Sequence, residues 1–288
     1  MRINHNISAM MTQGSLFKTG RNLSKNLEKL STGMRINRAS DDAAGLGVSE
    51  NLRTQVRGTA QAKRNALDGI AAINIAEGAA NEISDIMQRM RELAVQSAND
   101  TLTSTERSYT NQEFAQLQSE IDRIASVTNY NGQDLLSDTT NTANRFGLGG
   151  STGTGSVLWV DANDTVSLDS ITITIDTLTT TDLGVDTASA NTATQTDSVA
   201  AITALDESIN SVNTMRSNMG AFINRLEHAI NNLDVSNTNQ QSAESQIRDV
   251  DFAFETTQFT KNQILSQSAT AMLGQANMIP QTVLQLLG

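Results

Sequence analysis

AMMTQGSLFKTGRNLSKNLEKLSTGM, residues 9–34, and LSQSATAMLGQANMIPQTVLQL, residues 265–286, decide how the whole chain reads. In the first stretch Ala9, Leu16, Leu23 and Leu30 recur every seven residues, with Leu27 and Met34 in the alternate position. In the second, Leu265, Met272, Ile279 and Leu286 recur every seven, and Ala269, Ala276 and Val283 fill the second position. Spacing of three and four lines apolar side chains along one stripe of a helix, the pattern of coiled-coil packing. A single stripe of this kind also suits an ordinary amphipathic core helix. Two matched stripes at opposite ends favour pairing with each other or with neighbouring copies.

Working inward, Gly33 is placed to end the first helix in a left-handed conformation. Ser40, Asp41 and Asp42 then offer an N-cap and an acidic first turn for a second helix running to about Asn99. Its stripe is Ile73, Ala76, Ala80, Ile83, Met87, Met90 and Ala94. At 1.5 Å per residue that helix is roughly 80 Å long. Thr103 and Glu106 have capping-box spacing and open a third helix with Phe114, Leu117, Ile121 and Ile124 on one face. Asn129-Tyr130-Asn131-Gly132 is a turn signal.

Residues 137–198 change character: 23 of 62 are Ser or Thr, Lys is absent and Arg145 is the only base. Ile171, Ile173 and Ile175 alternate with Thr172 and Thr174, as in a half-exposed strand. Val157–Val160 and Val166–Leu168 are shorter strand candidates. The stretch is expected to form a small, mostly antiparallel β excursion with flexible Gly/Thr loops. Helical spacing returns near Asp197 and holds from Ile202 to Leu233, with Arg216 the one interruption. The polar run Ser236–Gln241 is expected to break it before the terminal helix. The expected fold is mainly α, with long helices, terminal helices forming a coiled coil and a small β-hairpin insert. Its segments are 1–40, 41–137, 138–196, 197–241 and 242–288.

Composition narrows function. There is no cysteine, so disulfides and thiolate metal sites are excluded. Met1–Asn6 shows no apolar h-region of an ordinary secretory signal, and no segment approaches the ~20 apolar residues of a membrane span. The net charge of -11 argues against nucleic acid. It is unevenly spread: the first 38 residues hold seven basic side chains against Glu28 alone. Residues 136–288 hold 5 bases and 16 acids. A basic N-terminal segment suits an acidic partner surface, which could lie within a polymer of the chain itself.

Several stretches closely resemble bacterial flagellins. They include Ile3-Asn4-His5-Asn6, Leu30–Asn37, Asp41–Leu46, Gln88–Gln96, Leu226–Ile230, Arg248–Asp251 and Ala271–Asn277. The likeness covers nearly all of residues 1–137 and 197–288, with the motifs in the family's order. Asp161-Ala162-Asn163 and the Ile171–Ile175 strand are similar to the family's β-hairpin region, although Asp161 stands where glycine is expected. Between these blocks there is no room for large outer domains.

The resemblance implies a self-assembling subunit of the flagellar filament, with both ends ordered on assembly as a coiled coil. Its seam would be Leu16, Leu23, Leu27, Leu30, Met34, Leu265, Met272, Ile279, Val283 and Leu286. It also implies partners: an export chaperone and the flagellar type III export apparatus, the filament cap and junction proteins, and Toll-like receptor 5. No cofactor and no membrane insertion are implied. The implied location is an extracellular filament, and a periplasmic one also fits. Gln88, Arg89, Leu93, Gln96 and Glu113 match the surface read by the receptor, which neighbouring subunits also use. The C-terminal Val283–Leu287 resembles the leucine-rich tail that the chaperone uses.

Enzymatic motifs are missing. His5 and His228 are the only histidines, and neither HExxH nor Gly-x-Ser-x-Gly occurs. Gly147–Gly150 lies in a polar context unsuited to a phosphate loop. Gly220 and Gly274 inside helical stretches suggest close helix approach. The Ser/Thr-rich middle reads as solvated loop, with a composition that also permits O-glycosylation. A hook–filament junction protein shares the two-ended plan, and a soluble coiled-coil interaction module is the alternative outside the family.

Overall fold

The computed structural model describes residues 6–137, 146, 155–163, 169–187 and 190–287, with side chains described as far as residue 278. Val166–Leu168, Gly147–Gly150 and His5 lie outside the described residues. Helix α1 spans Ile7–Thr32, α2 Ala43–Ser97, α3 Ser104–Val127, α4 Gln195–Arg248 and α5 Phe252–Leu287. Two antiparallel hairpins complete the described elements, β1 (Asn129–Tyr130) with β2 (Gln133–Asp134) and β3 (Ser156–Trp159) with β4 (Ser170–Ile173). The mainly α fold with a small β insert is therefore as the sequence indicates.

Local chemistry sets the boundaries. Gly33 ends α1 at φ 72°, its N–H donating to the Lys29 carbonyl. Asp42 caps α2, its Oδ1 accepting from the Gly45 N–H at 2.8 Å. The capping box at Thr103 and Glu106 is formed in both directions. Arg107 covers the C-terminal carbonyls of α2, donating to Ser97 O and Asn99 O at 2.9 Å each. The β1–β2 turn uses Asn131 at φ 54° and Gly132 at φ 76°, the conformation that Asn-Gly adopts most readily. In contrast, α4 runs without a break through Ser236–Gln241 to Arg248. The loss of apolar spacing there is a change of environment only. That run holds neither Gly nor Pro, so nothing in it breaks a helix.

The chain divides into two compact units: a terminal unit of residues 1–56 with 238–288, and a central unit of residues 57–237. The central unit owns the hydrophobic core. The α2 stripe from Ile73 to Ala94 is fully buried with Phe114 and Ile121 of α3 and Leu205, Val212, Met219 and Leu226 of α4. Ile171, Ile173 and Ile175 point into the same core while Thr172 and Thr174 face out, the alternation of a half-buried strand.

A track of small residues on α2 receives the β3 hairpin. Gly58, Ala62, Asn65 and Gly69 follow one another at spacings of four, three and four. A Cβ on Gly58 would meet the Ala162 Cβ at 2.6 Å, and one on Gly69 would run into the Leu158 side chain. Asn65 Nδ2 donates to the Trp159 carbonyl at 3.2 Å. The close approach expected at Gly220 and Gly274 is absent, since a Cβ on either meets nothing within 4 Å. Residues 176–187 and 190–192 are not the free loop their composition suggests. Buried Gln118 donates to the carbonyls of Val185 (2.7 Å) and Ala190 (3.0 Å). Asp122 accepts from Thr180 N–H at 2.8 Å, and Asn111 from Thr192 N–H at 2.9 Å.

Candidate assembly surface

The two heptad-bearing ends meet in the terminal unit. α1 and α5 pack together antiparallel. Asn6 Nδ2 donates to the Ala276 carbonyl at 2.8 Å, and towards the other end Lys29 Nζ lies 3.9 Å from the Glu255 carboxylate. Leu16, Leu23, Leu30 and Met34 are half-buried along α1 and its end. Facing them on α5 are Phe259, Asn262, Ser266, Ala269, Leu273 and Ala276, again at three–four spacing. One polar side chain sits inside this seam. Asn26 is 8% exposed. With its amide turned to face its partners, Nδ2 donates to Asn22 O and Glu255 Oε1, both at 3.0 Å. Its oxygen accepts from Phe259 N–H at 3.2 Å and Asn262 Nδ2 at 3.0 Å. A satisfied Asn in such a seam fixes register, because any slip strands it without partners.

A second set of large apolar residues points the other way. Leu27, Leu265 and Met272, expected in the seam, stand on the outward faces at 51%, 46% and 61% exposure. The α1–α5 seam therefore follows Leu273 with Ala269 and Ala276, displaced from the Leu265–Met272 line. A pair of helices covers one stripe on each, and small residues permit the close approach. The bulkier stripe is left uncovered, along with Ile7, Met10, Phe17, Phe252, Phe254 and Ile264. The side chains of Ile279, Val283 and Leu286, in the last turns of α5, lie outside the described residues.

The junction between helices is built from two of the motif stretches. Met34 pairs with Asp249 in an isolated antiparallel bridge. Arg35 N–H donates to Arg248 O at 2.7 Å, and Val250 N–H to Gly33 O at 3.0 Å. The Arg35 guanidinium reaches Ile247 O at 2.6 Å. Arg248 pairs with Glu50 at 2.6 Å, which holds that carboxyl below the usual range. At Asp41 burial pushes the carboxyl up, but the N–H groups of Arg38 and Asn37 with the Lys25 ammonium outweigh it and leave it lowered. The N-terminal bases thus partly serve to tie down this junction.

In the central unit, Gln88, Arg89, Gln96 and Glu113 are exposed, and Arg89 bridges Glu113 at 2.9 Å and Glu92 at 3.0 Å. Hydrogen bonds donated to Glu113 first and Glu92 second keep the Arg89 guanidinium protonated more firmly than usual. Leu93 does not belong to this surface. It is 1% exposed and part of the core. α2 is covered on two adjoining stripes here, so the position next to the Met90–Ala94 line is buried as well. Sequence spacing identifies one stripe and gives no sign of the second. Among the described residues no group of three or more His, Cys, Asp or Glu is arranged to hold a metal ion. Among them, too, no helix is long and apolar enough to cross a membrane.

Terminal helices joined in an antiparallel pair, with a folded central unit between them in sequence, define a two-ended helical protein. Residues 3–141 match the bacterial flagellin N-terminal helical region, and residues 202–287 match the bacterial flagellin C-terminal helical region. The chain is 46% identical over 290 residues to a flagellin of Halalkalibacterium halodurans, covering all of both chains. It is 46% identical over 294 residues to the flagellar filament 33 kDa core protein of Treponema phagedenis, again covering both completely. A crystal structure of Bacillus cereus flagellin is similar at 32% identity, covering 59% of this chain and 88% of that one with a TM-score of 0.46. The chain belongs to the bacterial flagellin family.

Proposed function

We infer that this chain is a structural subunit of the flagellar filament and polymerises through its terminal unit. The observation that carries the reading is the inversion of polarity there. Among the described residues, Ile36 and Ala276 are the buried apolar side chains of that unit, while twelve large ones, Phe17, Leu265 and Met272 among them, are exposed. A surface of that kind on a soluble protein marks an interaction site. Copies of the same chain are the occupants, because relatives matched along their whole length carry the names flagellin and flagellar filament core protein.

In this reading α1 and α5 supply the inner coiled coil of a tube. Ordering two helices and their connections costs on the order of 1–2 kcal/mol per residue. So few buried apolar side chains do not offset that cost in a single subunit, and neighbours complete the burial. An end that orders only on assembly also suits passage through the flagellar type III export apparatus with its chaperone. The filament then stands outside the cell, growing beneath a cap and seated on junction proteins. Gln88, Arg89, Gln96 and Glu113 form the part of the central unit that meets a neighbouring subunit or Toll-like receptor 5. Leu93 contributes by holding α2 in place from below. No reaction is assigned to the chain.

The test is to salt out purified subunit and examine it by electron microscopy. Tubes of uniform diameter are expected from the full chain and none from a chain lacking residues 1–40 and 249–288. Tubes from the truncated chain would refute the reading.

A further inference from the structure

The methionines are sorted by unit. Of the ten in the chain, Met87, Met90 and Met219 are 0% exposed and Met215 4%, all in the central core. Met10, Met11, Met272 and Met278 are 68%, 71%, 61% and 57% exposed, all in the terminal unit. The antiparallel pairing brings these four to one end of the α1–α5 pair, where the Asn6–Ala276 bond fixes the alignment. Met10 lines a groove there with Phe17 of α1 and Leu273 and Asn277 of α5. The chain has no cysteine, so no thiol competes as a target for peroxide.

We propose that Met10, Met11, Met272 and Met278 form an oxidation-sensitive modification site through which hydrogen peroxide bars the free subunit from polymerising. The proposal rests on the filament reading above. In the step, the thioether sulfur attacks one peroxide oxygen. The O–O bond breaks, an S–O bond forms, the sulfur loses two electrons and the other oxygen leaves as water after proton transfer. The product sulfoxide is polar where the thioether was apolar and adaptable, so it damages a surface that must be buried between copies. Oxidation acts on the free subunit, in which these sulfurs are open, and assembly shields them. The core methionines are out of reach in both states.

Treatment of purified subunit with dilute hydrogen peroxide, followed by peptide mass spectrometry and sedimentation of polymer, tests this. Sulfoxide is expected at the four exposed positions before any appears at Met87, Met90, Met215 or Met219. The critical concentration for polymerisation should rise by about tenfold or more, since each oxidised side chain gives up most of its burial free energy. Methionine sulfoxide reductases should restore it. A chain carrying Met10→Leu, Met11→Leu, Met272→Leu and Met278→Leu should polymerise equally well with and without peroxide. If that variant fails to polymerise untreated, recovery of the wild type by reductase decides in favour and lack of recovery decides against. Unchanged polymerisation of the oxidised wild type, or equal loss in the leucine variant, would overturn the proposal. Failure of the untreated wild type to polymerise would instead sink the filament reading on which it rests.

Discussion

The terminal and central units spend their apolar residues in opposite ways. The central unit holds 10 Lys and Arg against 23 Asp and Glu, yet it encloses a continuous core from Ala66 to Leu226. The terminal unit is nearly balanced, 10 bases against 8 acids, and among its described residues twelve large apolar side chains stand exposed. A strongly acidic exterior keeps a folded body soluble and apart from its copies. A near-neutral, apolar exterior does the reverse and favours association. One chain thus combines a part that encloses its own core with a part that, in the proposed filament, is completed by neighbours.

The two units differ most at phenylalanine. Phe114 is 1% exposed and Phe17 66%. Phe114→Ala should lower the unfolding free energy of the central unit by about 3–5 kcal/mol, read by chemical denaturation. Phe17→Ala should leave that transition in place and instead reduce the yield of polymer in sedimentation. The same response from both substitutions would erase the distinction between the units.

A smaller effect sharpens what holds the central unit together. Gly58→Val places a side chain against the backbone and Cβ of Ala162. It should cost about 1–3 kcal/mol, as overpacking does, and raise amide exchange along β3. Thr103→Ala removes the cap at the start of α3 and should cost about 1 kcal/mol. Unchanged stability in either variant would show that these contacts are not under load.

The smallest effect is one of pH. The backbone N–H of Thr103, and then its hydroxyl, hold the Glu106 carboxyl below its ordinary value. A lowered folded pKa means that the stabilisation is complete above the unfolded value and is lost as pH falls through the folded one. The melting-temperature gap between wild type and Glu106→Gln should therefore be widest at neutral pH and close on acidification through the carboxylate range. A gap that widens in acid would contradict the assignment.

What the sequence discloses and what it conceals divides along the same physical line. Features fixed within one or two turns of chain are legible: the Gly33 stop, the Thr103–Glu106 box, the Asn131-Gly132 turn, the Ile73–Ala94 stripe. Features that depend on what arrives from elsewhere are not. Leu93 is buried because a second stripe of α2 is covered. Leu265 and Met272 face out because a helix pair covers only one stripe. Ser236–Gln241 stays helical although its apolar partners run out. The Gly58–Gly69 track reads as scattered small residues until the hairpin lies upon it. Asn26 is unremarkable in sequence, and its place in the seam becomes visible only with Glu255, Phe259 and Asn262 around it.

In the proposed filament, the terminal unit becomes fully ordered only among its copies. Hydrogen exchange measured by mass spectrometry, on the subunit before and after polymerisation, addresses it directly. Peptides from residues 6–32 and 252–287 should exchange almost completely in the free subunit and become protected in the polymer, while core peptides from 73–94 stay protected in both. Strong protection of both terminal helices in the free subunit would contradict it.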